Sequence, residues 1–480
     1  MLTKFKQNLS LDEVLNNAPI IIKNTMNFLE KVQPNLKNTI KLSLTLIKFM
    51  QMVNFKRVSF KELNNHRICN LYLLVFAPSG SGKDKALKNL NTHIFRKVLD
   101  EIKNTYDEKY ETEKKEIAKK YINKEAKAEL KKLRKLTLET NSATPEGICQ
   151  DAGSLLKVDF GSIFIKISEL SSMEHHECKK FLKMIISCYD GDFDSKSIKS
   201  EQRLDNISFL PISFVGLSDP SEFFTSLKNE IEKMFKTGLA RRAITVFQPY
   251  YKSSPIPDNY RKQIELAQWF AGETSDEVKN IFNQIQIGST YTIENEAIDT
   301  VLLNYKRYVQ EEGNREDDDI LKKEFQNREL KVLNIACLYA SLNHPQDLRI
   351  SVDDVNQAIT TIQFISDDMR LFIEHKPDKF DEYDKFFNFL VKNTGKRFSK
   401  TILINNHHNE IGMKRNYLRK NFSDIIIILK EIAELKGYML KEEYNQKHNG
   451  HFIILVEETI TEDKKDFKLL NGNVIENALE

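Results

Sequence analysis

The chain has 480 residues, with 72 Lys and Arg against 69 Asp and Glu for a net charge of +3, 40% hydrophobic residues and 10% aromatics. That length leaves room for about three domains and a substantial core, and the near-neutral balance excludes a globally basic nucleic-acid binder, so any such surface must be a local patch. Five cysteines, at 69, 149, 178, 188 and 337, show no C-x-x-C pair and suit free thiols in a reducing compartment better than disulfides.

The first residues, MLTKFKQNLSLDEV, lack the apolar stretch of a secretory signal, and no apolar run approaches the roughly 18 residues of a membrane span. The expected location is cytoplasmic, with no membrane partner. Residues 1–66 read as a helical N-terminal domain, with apolar residues at helical spacing in NTIKLSLTLIKFMQMVNF. The pattern then changes. CNLYLLVFAP is a short apolar run closed by Ser-Gly-Ser-Gly, and DKALKNLNTHIFRKVLDEI resumes a helical period.

This succession of strand, glycine loop and helix opens a core domain expected over 67–260. Within it, 97–136 is charge-dense and helical, a solvated insertion. KLTLET (135–140), SIFIKIS (162–168) and ISFVGLS (212–218) read as strands, and Thr144-Pro145-Glu146 reads as a helix start. Strands alternating with helices predict an α/β fold with a parallel sheet. Past 260 the strand signals stop, and NRELKVLNIACLYASL and SVDDVNQAITTIQFI belong to a helical lid over 261–375. A small domain over 376–460 follows, with three helical stretches and a hairpin about Asn449-Gly450, the order of a winged-helix module. Residues 461–480 form a polar tail.

The chemistry concentrates in APSGSGKD. Ala77, Pro78, Ser79, Gly80, Ser81, Gly82 and Lys83 follow a phosphate-loop pattern, with Gly80 and Ser81 where the backbone turns its N–H groups inward and Lys83 reaching phosphate oxygens. Asp84 stands where a hydroxyl usually ligates Mg²⁺. In IFIKISEL, Ser168 and Glu169 occupy the strand-end places of a metal-directed carboxylate and of the base that polarises the attacking water. One reading has Asp84 and Ser168 facing each other across Mg²⁺ with roles exchanged. The other has Asp84 repelling the triphosphate and the site inactive.

Ser218 either orients the attacking water or caps a helix before Pro220. Arg241 or Arg242 is an arginine finger for a neighbouring site, or both are surface arginines. Arg328 is a weaker candidate for a γ-phosphate contact in cis. Lys196, Lys199 and Arg203 lie in a segment that either meets DNA phosphates or is a solvated loop. Lys414, Arg415, Arg419 and Lys420 crowd the start of the expected recognition helix, with Lys447 and His448 on the hairpin, and suit phosphate and groove contacts or a protein dock. His175, His176 and Cys178 lack a second ligand pair and read as an exposed helix start rather than a zinc site.

LYLLVFAPSGSGKD, SATPEG, IFIKISEL, CYDGDF, PISFVGLSDP and GLARRAITVF fall in the order seen in P-loop ATPases of phages, plasmids and genomic islands described as primase- or helicase-like. Over residues 65–375 the chain resembles that group, and Gly82, Lys83 and Glu169 sit on its key positions, whereas Asp84 and Ser168 depart from its Ser and Asp. The resemblance implies a P-loop NTPase core of AAA+ or superfamily-3 type with a C-terminal winged helix, and ATP and Mg²⁺ as cofactors. It further implies a homo-oligomeric ring such as a hexamer, acting on single-stranded or origin DNA as helicase or initiator in mobile-element replication. A nucleotide-binding regulatory or scaffold protein that no longer hydrolyses ATP is the alternative. A primase is disfavoured, because no separate carboxylate-rich polymerising centre is visible.

Overall fold

An apolar run without polar interruption, such as Tyr72–Phe76, holds as a strand only where both its faces are covered. The computed structural model describes residues 9–62, 65–121, 124–133, 135, 137–140, 145–158, 160–170, 175–189, 210–220, 232–250, 259–374, 377–413, 415–420, 422–435, 438–445 and 450–457. They belong to two units, Met1–His375 and Lys376–Glu480. The strands of the first are β1 (Ser59–Glu62), β2 (Asn65–Ile68), β3 (Tyr72–Phe76), β4 (Ile163–Ile167), β5 (Ile212–Ser218), β6 (Ala243–Phe247), β7 (Thr290–Ile293) and β8 (Arg349–Ile350).

The principal sheet has the order β4-β5-β3-β6 with every pair parallel, and all residues of β3, β5 and β6 are buried. From β3 the chain runs to β4, beyond β5 on one side, whereas β6 lies on the other. A sheet that reverses its order in this way opens a crevice at the carboxyl ends of its strands. The loop that follows β3 sits at that crevice.

Helix Asn38–Phe55 packs on β3, β5 and β6 and is buried on every side from Thr39 onward, including Lys41, Lys48, Gln51 and Asn54. Buried polar groups require partners. Asn54 Nδ2 donates to Ser213 Oγ at 2.8 Å and Gln51 Nε2 to the Leu138 carbonyl at 3.0 Å. Helix Val352–Glu374 packs on β6, and its Phe372 stacks on Phe76 with ring centroids 4.4 Å apart. The charged helix Arg96–Lys120 turns Val98, Ile102, Tyr106 and Ile117 inward and is tied to helix Tyr260–Gln284 by the ion pairs Lys97–Asp276 and Glu101–Lys279.

Three expectations change. The end of the stretch 1–66 read as helical instead carries β1 and the start of β2, which pair antiparallel. The lid expected to be wholly helical contributes β7 and β8, which complete a second sheet of order β2-β1-β7-β8. Strands of two to four residues are too short for an alternating pattern to register. In contrast, among the described residues of KLTLET there is a single parallel bridge, from Thr140 to Ile165. Its Glu139 carboxylate is drawn to Lys48, at 3.2 Å, in place of extending a ladder.

The second unit has helices Pro377–Lys392, Lys400–Asn406, His408–Ile411, Arg415–Lys420 and Phe422–Leu435 around a core that includes Phe386, Leu390, Leu403, Ile425 and Leu429. Its strands β9 (Arg397–Ser399), β10 (Tyr438–Asn445) and β11 (Gly450–Glu457) form an antiparallel sheet of order β10-β11-β9. The sequence signals the hairpin but not β9, which has three residues. Lys447, His448 and Asn449 lie outside the described residues. Among the described residues no helix is long and apolar enough to cross a membrane.

Candidate functional site

The start of the loop is pinned on both sides, to β5 and to the residue that follows β6. Ala77 N donates to the Ser218 carbonyl at 3.1 Å, and Gln248 N donates to the Phe76 carbonyl at 2.8 Å. Gly80 and Gly82 have φ of 82° and 93°, left-handed values that side chains with a Cβ disfavour. A Cβ on Gly82 would also lie 2.3 Å from Gln33 Oε1. Lys83 is buried and its ammonium donates to the Ala77 carbonyl at 2.9 Å, across the inside of the loop.

Two further groups line this bend. Ser81 is 1% exposed and Gln33 is 5% exposed, and neither Ser81 Oγ nor Gln33 Nε2 has a hydrogen-bond partner. Leaving a buried polar group unpaired costs about 1–3 kcal/mol. Ser81 and Lys83 flank Gly82, which Gln33 abuts, so unpaired buried donors and one cation belong to the same short stretch of the loop. Gln33 is held in place because the segment behind it is knitted to β6 and to helix Val352–Glu374. Lys37 N donates to Gln248 Oε1 at 2.8 Å, and Asp368 accepts from Lys37 Nζ, Thr39 Oγ1 and Phe247 N at 2.5, 2.6 and 3.0 Å.

Glu169 and Ser218, singled out separately in the sequence, meet here. Ser218 Oγ donates to Glu169 Oε1 at 3.0 Å and Asp219 N donates to the same oxygen at 3.3 Å. The Ser218 hydroxyl therefore orients the carboxylate. Asp219, which the sequence reading passed over, accepts from Ser79 N at 2.5 Å and ties the loop to the end of β5.

Asp84 has an unforeseen partner. Its Oδ1 lies 3.3 Å from the ammonium of Lys166, on β4. Ser168, two residues further along and exposed, continues the same strand direction. Magnesium takes hard oxygen ligands in near-octahedral geometry. The carboxylate expected to hold it is already paired with an ammonium. A divalent ion at Asp84 would stand against that like charge, so this arrangement fits an ammonium better than a divalent ion.

Behind Lys166 lies a second pair. Buried Lys48 contacts Glu139 at 3.2 Å, and Glu139 also accepts from Asn91 Nδ2 at 3.0 Å. Burial pushes the Lys48 ammonium below its ordinary pKa, a shift Glu139 partly offsets. Burial alone would raise the Glu139 carboxyl, but the charge of Lys48 and the bonds from Asn91 and Lys48 bring it below the usual range.

The arginines separate. Arg241 is exposed, whereas Arg242 turns inward, with its guanidinium 5.6 Å from the Tyr189 ring centre. Arg328 is buried against Glu324, Nη2 to Oε2 at 2.5 Å, and the Lys331 ammonium joins Glu324 at 3.1 Å and the Ala240 carbonyl at 3.0 Å. Burial would raise the Glu324 carboxyl, but Arg328 and Lys331 hold it down at about 2. A phosphate contact from Arg328 requires breaking this pair.

Lys196, Lys199, Arg203 and Lys414 lie outside the described residues. Arg415 and Arg419 are exposed on the helix that ends at Lys420, and Arg415 Nε donates to Asn405 Oδ1 at 3.1 Å. His175 and His176 begin the helix that ends at Cys188, with Cys178 buried inside it.

No family model and no curated protein matches the chain. Among solved structures it is similar to the Orc1 protein of Aeropyrum pernix in complex with DNA, at 13% identity and a TM-score of 0.19, over 81% of this chain and 84% of that one. A TM-score of 0.19 is too low to equate the two folds.

Proposed function

We propose that the chain is a P-loop ATPase of AAA+ type that works on DNA. The observation that carries the reading is the loop 77–84 at the carboxyl end of central β3, with the Lys83 ammonium inside its bend and Glu169, oriented by Ser218, at the ends of the neighbouring strands. In this reading Lys83 and the loop N–H groups hold the β- and γ-phosphates. Glu169 takes a proton from the water that attacks the γ-phosphorus, and ADP leaves. Exposed Arg241 serves a neighbouring copy's site as the arginine finger, in a homo-oligomeric ring.

The second unit supplies the DNA contact. Its helices, three-stranded antiparallel sheet and terminal hairpin follow the order of a winged helix, with Arg415 and Arg419 exposed for phosphate contacts. The family resemblance narrows the role to a helicase or initiator in mobile-element replication. A second reading, a nucleotide-binding scaffold that does not hydrolyse ATP, is favoured by one observation, the engagement of Asp84 by Lys166.

ATP turnover with and without single-stranded DNA separates the two readings. The motor predicts DNA-stimulated hydrolysis, abolished by Lys83→Ala and lowered about 10²–10⁴-fold by Glu169→Gln. Nucleotide binding without turnover in the wild type overturns the motor in favour of the scaffold.

A further inference from the structure

We propose that the ammonium of Lys166 takes the place of a divalent metal, so that the loop binds a nucleoside triphosphate without Mg²⁺. This rests on the reading of residues 77–84 as a nucleotide loop and names the cation that the loop uses.

The placement of Lys166 comes first. β4 reads Ile-Phe-Ile-Lys-Ile, and its other four residues are buried. Its single charge is carried by a side chain 19% exposed that ends 3.3 Å from the Asp84 carboxylate. An ion pair this open contributes about 0–1 kcal/mol, so fold stability gives little reason for a lysine in an otherwise apolar strand.

The neighbourhood is the second point. Asp84 follows Lys83 at the start of the helix that closes the loop, and the Lys83 ammonium lies across the bend against the Ala77 carbonyl. Two consecutive loop residues thus hold one cation each, Lys83 its own and Asp84 that of Lys166. In the proposed complex both cations serve the triphosphate.

The third point is the ease of exchange. The Asp84 side chain is 50% exposed, so it can turn to solvent while Lys166 passes to a phosphate oxygen. One anionic partner replaces another and no charge is left alone. A divalent ion at Asp84 would instead stand against the Lys166 ammonium, a like-charge contact that disfavours both.

Calorimetric titration of the full chain with ATP, in EDTA and in Mg²⁺, tests this. The expected result is an affinity in EDTA within about threefold of that in Mg²⁺, a loss of at least about tenfold in EDTA for Lys166→Met, and retention by Lys166→Arg. Binding by the wild type only in Mg²⁺ overturns the proposal while the nucleotide loop stands. Metal-free binding that survives Lys166→Met overturns it as well. Should Lys166→Met fail to fold, Lys166→Gln takes its place under the same expectations. A folded wild type that binds no ATP in either condition overturns the loop reading, and the proposal with it.

Discussion

Two charge clusters in the first unit each pair carboxylates with cations and come out differently. Glu324, Arg328 and Lys331 are at most 6% exposed at their side chains, and each cation bonds the one carboxylate. Asp84 and Lys166 are 50% and 19% exposed, with buried Lys48 and Glu139 behind them. The sealed cluster has no exit for its charges, so it holds the helices together. The open one can exchange a partner with little loss, which is what a binding site requires.

The comparison breaks most readily at Glu324. Glu324→Gln strands two buried cations and is expected to cost about 3–5 kcal/mol in denaturant unfolding of the first unit. An unchanged midpoint would remove the structural role assigned to the cluster.

Next comes Glu139→Gln, which deprives Lys48 of its carboxylate and is expected to cost about 1–3 kcal/mol near neutral pH. The Lys48 ammonium lies below its ordinary 10.5 through burial. The unfolded state therefore holds its proton more tightly, and the penalty shrinks as the pH rises toward 10.5. Thermal melts at neutral and alkaline pH measure this, and a penalty that grows with pH contradicts it.

Asp84→Asn, at the open end, should change stability by no more than about 1 kcal/mol. It should at the same time tighten metal-free ATP binding, because Lys166 loses its competing anion. Equal or weaker binding in EDTA would put Lys166 away from the phosphates.

The smallest effect belongs outside both clusters. The bond to Asp354, at 2.9 Å, raises the His344 pKa above its ordinary 6.5 against the opposing effect of burial. The His344 contribution is complete below 6.5 and is lost as the pH rises through the raised native value. Solvent screening at the partly exposed His344 ring keeps the change below about 1 kcal/mol, and His344→Gln should flatten that part of the stability profile.

The parallel sheet is the most legible part of the sequence, because β3, β4 and β5 are apolar runs bounded by turns and the loop's glycines punctuate them. Glu169 and Ser218 were readable as strand-end polar residues, though their mutual bond was not. Gln33 carries no local signal. It follows a helix far upstream of Gly82, and only tertiary packing brings its amide to the loop. Lys166 does carry one, as the lone charge of an apolar strand, but a half-buried lysine pattern does not say which carboxylate it meets. The exchange of roles expected of Asp84 and Ser168 needs a metal between them, whereas the side chain that reaches Asp84 is that of Lys166, two residues before Ser168.

The anchoring of the segment behind Gln33 has a consequence for synthesis. Lys37 reaches Gln248 across 211 positions of sequence and Asp368 across 331. A nascent chain that has displayed its glycine loop, and even the whole parallel sheet, still lacks the carboxylate that fastens the loop's wall. On a ribosome this wall is fastened only after residue 368 has emerged, so under the proposed function nucleotide capture is expected late in translation and not as an early scaffold for it.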